Sequence, residues 1–116
     1  MNSGLYICKC YWTNTRTKEI IPVLKFGMTK NINTRLYYYN KNGECYKLIA
    51  FFPCATTYLK EREDYFKEHS YFKDYCRISR SEHIQYKNGY FKKMYEDLKE
   101  AAELKIKKTK RGYCYE

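Results

Sequence analysis

The sequence predicts an α+β domain: a small three-stranded antiparallel sheet covered by helices, with an extra helix at the C-terminal end. Three observations predict it. Two aromatic and apolar runs, Leu5 to Trp12 and Ile20 to Met28, flank a polar turn. From Ile32 the apolar spacing changes from strand-like to helical. Near the end, Phe91, Met94, Tyr95, Leu98, Ala101 and Ala102 form one apolar stripe. A chain of 116 residues has room for one core, so the expected organisation is a single domain over 1–104 and a basic tail over 105–116.

Each element has its own cue. Residues 5–12 contain no Gly or Pro and read as a strand, and residues 13–18 as a polar turn. The second run completes an antiparallel hairpin; Pro22 within it requires an edge position or a late start, because proline cannot donate to a ladder. Ile32, Leu36 and Tyr39 share one helical face, and Gly43 follows as a stop. Cys45 to Phe52 reads as a third strand closed by Pro53. Thr56 or Thr57 then supplies a helix cap. The next helix aligns Tyr58, Leu59, the Arg62 stem, Tyr65, Phe66 and His69. Residues 70–88 show no regular pattern, and the lysine-rich residues 105–111 read as frayed or disordered.

Composition speaks about partners. The net charge is +10, from 23 Lys and Arg against 13 Asp and Glu, and 15 tyrosines supply much of the apolar bulk. Cations meet phosphate and rings stack on exposed bases, so nucleic acid is the expected partner. A solubilising lysine surface, or the codon bias of an AT-rich genome, produces the same charge. No apolar run approaches membrane-spanning length. The six cysteines have neither zinc-knuckle nor disulfide-framework spacing. They read as neutral thiols in an intracellular, reducing compartment, cytoplasmic or nuclear.

The most informative stretch is Gly27-Met28-Thr29-Lys30-Asn31-Ile32-Asn33-Thr34-Arg35, of the form G-x-T-x-N-I-x-x-R. A strand ends at a glycine, a short turn follows, and the first turn of a helix carries an arginine. A permanent cation is thereby placed where a phosphate can reach it. Together with Gly4-Leu5-Tyr6 and Lys25-Phe26-Gly27, the stretch resembles the GIY-YIG nuclease domain, especially its phage- and virus-rich branch with a K-[IF]-G-x-T second motif. The resemblance covers roughly residues 4–66.

It implies a metal-dependent DNA endonuclease that leaves a 5′-phosphate, and a viral or phage origin. Tyr6 matches the tyrosine that contacts or activates the attacking water. Lys25 takes the place of the first tyrosine of the second motif, as a base or a phosphate contact, so the general base is Tyr6 or Lys25. Arg35 matches the arginine that stabilises the pentacovalent phosphorus. Tyr39, one turn on, matches a His or Tyr position. The metal ligand for Mg²⁺ or Mn²⁺ matches Glu63, the second glutamate of Glu61-Arg62-Glu63, with Glu82 as the next candidate. Helical spacing places Glu63 on one stripe with Leu59 and Phe66. All five side chains, Tyr6, Lys25, Arg35, Tyr39 and Glu63, are expected around one concave face. His69 and His83 read as structural. A scaffold that binds nucleic acid without turnover, or a viral protein-interaction module, is the alternative.

Overall fold

The structure is a computed structural model describing residues 2–69, 83–87, 89–103, 106–109 and 112–115, with backbone alone for His69 and for residues 106–109 and 112–115. Strand β1 (Gly4–Thr13) pairs antiparallel with β2 (Ile20–Thr29), Gly4 facing Thr29 and Thr13 facing Ile20. The turn between them is held by the Asn14 side chain, whose Oδ1 accepts the amides of Arg16 and Thr17 at 2.9 and 3.3 Å. On the other edge of β1 lies β3 (Lys47–Pro53), with a register shift between Ile7 and Cys8.

The sheet has four strands, not the three expected. A short β4 (His83–Gln85) adds to the outer edge of β2, giving the order β3-β1-β2-β4. Three residues are too few to display strand alternation in a sequence. What seats them is Ile84, fully buried and paired with Leu24. Pro22 lies one residue before that pairing begins. Its carbonyl accepts the Tyr86 amide at 2.9 Å, so the strand is joined there through the acceptor that proline keeps.

Helices cover both faces of the sheet. Alternation along β1 sends Leu5 and Ile7 to one side, where they join Leu24, Phe26 and Ile84. There α2 (Leu59–His69) contributes Leu59 and Phe66, and α3 (Tyr90–Glu103) contributes Met94, Leu98, Ala101 and Ala102. Tyr6 and Cys8 point to the other side, under α1 (Ile32–Asn40) and its Ile32, Leu36 and Tyr39. Arg62 of α2 donates to the Ala102 carbonyl in the last turn of α3, where a cation also suits the helix dipole.

Two further expectations change. Thr56 and Thr57 do not cap α2; a 3₁₀ turn, Thr56–Tyr58, starts there with Ala55 at its head and no side-chain cap bond. The stretch read as a frayed tail forms a separate two-stranded hairpin, β5 (Ile106–Thr109) against β6 (Gly112–Tyr115). Lysine-rich runs rarely signal strands, and that pairing is carried by backbone.

Gly4 shows how tightly β1 and β3 meet. A Cβ there would collide with the Phe52 carbonyl, which is backbone and has little freedom to retreat. Gly4→Ala should therefore destabilise the domain by about 3 kcal/mol and lower Tm by about 10 °C in a thermal melt.

Candidate functional site

The Gly27–Arg35 stretch is explained residue by residue. Gly27 faces Tyr6 across the ladder, and a Cβ on it would fall 2.7 Å from the Tyr6 hydroxyl, so glycine makes room for that ring. The strand runs on past Gly27 to Thr29, one residue beyond the expected run of Ile20 to Met28. The buried Thr29 hydroxyl then closes the turn, donating to the Asn31 carbonyl at 3.0 Å and accepting the Asn31 amide at 3.1 Å. Asn31 caps α1, its Oδ1 accepting the amides of Asn33 and Thr34 at 3.0 and 3.2 Å. Ile32 anchors the first turn in the core, and its amide donates to the Asn2 carbonyl at 2.9 Å. This chain of local bonds holds Arg35, at the fourth position of α1, exposed beside the sheet end.

Tyr39 is the centre of the site. Its hydroxyl lies 2.5 Å from that of Tyr6. Lys25 Nζ stands 5.7 Å from the centroid of its ring, and Arg35 Cζ 6.0 Å from the same centroid. Two cations and two phenols thus meet on the α1 face, with no carboxylate among the four. Burial, and then the bond to Tyr39, push the Tyr6 hydroxyl well above the usual phenol range, while the Arg35 charge acts the other way. Tyr6 therefore keeps its proton at neutral pH. The Cys8 thiol, behind Lys25, is pushed up to about 12 by burial and is inert in the same range.

A cavity of about 670 Å³ opens beside this cluster, between the end of β2, α1 and the start of α2. Arg35 and Tyr39 line one side, and Leu59 and Lys60 the other.

Glu63 is placed differently. It is 5% exposed and shares its stripe of α2 with buried Leu59 and Phe66, as helical spacing predicted. Those neighbours belong to the core on the far face of the sheet from Tyr6 and Tyr39. Lys67 Nζ lies 3.4 Å from Glu63 Oε1. The cavity lining reaches Leu59 and Lys60, one helical turn before Glu63, and does not include it. The structure thus gathers Tyr6, Lys25, Arg35 and Tyr39, and Glu63 stands one turn along α2 from the cavity that Arg35 and Tyr39 line. Glu82 lies outside the described residues.

As a donor, the Glu63 carboxylate has the hard oxygens that a divalent ion takes, and the Lys67 ammonium beside it shows that the position favours a cation. Among the described residues no three His, Cys, Asp or Glu side chains gather as a metal site. Mg²⁺ or Mn²⁺ on Glu63 would then take its remaining ligands from water and phosphate. Cys8, Cys10, Cys45 and Cys54 are free thiols, and Cys76 and Cys114 lie outside the described side chains. No helix among the described residues is long and apolar enough to cross a membrane.

Tyr46 and His83 join the site unannounced by the sequence. The Tyr46 ring packs 4.7 Å from that of Tyr39, and its hydroxyl lies 3.0 Å from His83 Nε2. His83 itself stacks on Trp12 at 4.6 Å. Burial raises the Tyr46 hydroxyl to about 12. The pairing of β4 with β2 sets His83 opposite Lys25, while Asn40 at the end of α1 holds the Tyr46 backbone, its Nδ2 donating to the carbonyl at 3.1 Å and its Oδ1 accepting the amide at 2.6 Å. Among so many tyrosines no local signal marks Tyr46.

Compared with protein-family models, with curated proteins and with solved structures, the chain matches none of them.

Proposed function

We infer that the chain binds nucleic acid, DNA above all, at the Tyr39 cluster and cleaves its phosphodiester backbone as a GIY-YIG-like endonuclease. The observation that carries this reading is the convergence of Lys25 and Arg35 on the Tyr39 ring, against the Tyr6 hydroxyl. Two cations about one aromatic centre fit a phosphate. The arginine fork can hold two of its oxygens as negative charge develops on them. Lys25 supplies a second, compact charge. Tyr6, protonated and tied to Tyr39, orients the attacking water by hydrogen bonding. Mg²⁺ or Mn²⁺, with Glu63 as its ligand, supplies Lewis-acid activation of the phosphate when bound. Attack on phosphorus with departure of the 3′ oxygen leaves a 5′-phosphate.

A second reading is favoured by one observation. Glu63 is paired with Lys67 on α2, whose Leu59 and Phe66 pack on the opposite face of the sheet from Tyr6. A scaffold that holds nucleic acid without turnover needs the cluster and not the carboxylate.

Both readings require phosphate contacts, and salt tests them. Affinity for duplex DNA should fall steeply with rising salt and show little sequence preference, because counterion release dominates such binding. Removing residues 105–116 deletes five cations and a hairpin whose strands pair only with each other. The truncated chain should fold, bind more weakly and lose up to about 4 from its salt slope. An affinity insensitive to salt, measured by fluorescence anisotropy, excludes phosphate contacts and both readings with them.

A further inference from the structure

The cavity beside the Tyr39 cluster has walls and a rim of different chemistry. Met28, Leu59 and Tyr38 make its walls apolar and aromatic, while Lys30, Arg35 and Lys60 carry positive charge. No Asp or Glu is among the described residues that line it. Its volume of about 670 Å³ is within the range of small-ligand pockets. A flat apolar group joined to an anion satisfies both parts at once, and one nucleotide of a nucleic-acid strand is such a group.

We propose that this cavity receives the base of a single unpaired nucleotide while its phosphate is held at Arg35, so that the preferred ligand is single-stranded. The inference rests on the phosphate-binding reading of the same site and adds to it the form of the substrate. A paired base in a duplex is stacked and closed off, and seating it here would require unpairing first. A single strand presents the base at no such cost. Tyr38 is the residue free to stack on it. It is 61% exposed, and among the described residues its ring meets the edge-on ring of Tyr37 at 5.6 Å and the Lys41 ammonium at 5.8 Å. Tyr37 is as exposed, at 65%, yet lines a different hollow with Asn33 and Lys41, and serves as the internal control.

The test is anisotropy with the full chain, using a labelled thymidine 12-mer and a hairpin duplex of matched charge at one salt concentration. The 12-mer should bind at least about tenfold more tightly than the hairpin. Tyr38→Ala should weaken 12-mer binding on the order of tenfold, and duplex binding less than about twofold. Tyr38→Phe should restore the loss, and Tyr37→Ala should change neither ligand. Both alanine variants replace exposed side chains, so the fold is kept. Equal affinity for the two ligands, or a Tyr38→Ala effect shared by both or matched by Tyr37→Ala, overturns the base-seating proposal while leaving the phosphate site standing. If neither ligand binds, the phosphate-binding reading itself fails, and this inference with it.

Discussion

Replacing Arg35 by alanine should slow phosphodiester cleavage by on the order of a hundredfold or more, while weakening binding far less. The asymmetry follows from when the contact matters. On the nuclease reading the ground-state phosphate would also be met by Lys25, by Lys30 and Lys60 at the cavity and by a strongly positive surface, so one exposed cation would be a small part of the attraction. In the transition state, charge concentrates on the equatorial oxygens, and the arginine fork is the bidentate group beside Tyr39. Arg35→Lys should recover binding more fully than rate, since an ammonium restores charge but not the fork. The side chain is exposed, and α1 is capped by Asn31 and anchored by Ile32 whatever stands at position 35. A melting temperature within about 2 °C of the parent's should confirm that the fold is intact. Equal losses in rate and affinity would mean that Arg35 only binds.

Glu63→Ala should have the opposite signature: cleavage abolished, with metal-free binding preserved or strengthened. The substitution removes the candidate ligand for Mg²⁺ or Mn²⁺ and with it a negative charge, so Lys67 is left as an additional cation. Neither effect needs a loss of fold, because the packing of α2 is carried by Leu59 and Phe66. Glu63→Gln keeps the volume and should lose cleavage equally, which separates charge from packing. Single-turnover cleavage beside anisotropy on the same protein reads both quantities. A Glu63→Ala variant that cleaves as fast as its parent would move the metal to another carboxylate, Glu82 being the next to test.

These two residues also show what was legible in the sequence. The cue for Arg35 was local: a glycine, a threonine, an asparagine cap and an apolar anchor, each with a short-range bond or contact that the structure displays. The burial of Glu63 was legible too, because 3.6-residue periodicity sets it in line with Leu59 and Phe66. Which face of the sheet that stripe would cover was not, since periodicity is blind to layer order. The same blindness hid β4. Its three residues hold through Ile84 against Leu24, a contact between segments sixty residues apart. With β4 unseen, the contacts of His83 with Tyr46 and Trp12 were unseen as well. The β5–β6 hairpin was missed for another reason, since its lysine-rich sequence has the composition of a tail. Thr56 and Thr57 had good capping chemistry, but the 3₁₀ turn that begins at Thr56 left neither hydroxyl in the capping role.

The most direct test of the central claim is the wild-type chain incubated with end-labelled DNA, single-stranded and duplex, with Mg²⁺, with Mn²⁺ and with chelator. The account predicts internal cleavage that needs the metal and leaves 5′-phosphate ends, identified by their ligation without prior phosphorylation. Intact DNA under every condition, from a protein that nonetheless binds it with steep salt dependence, would contradict the nuclease claim and leave the Tyr39 cluster as a binding site alone.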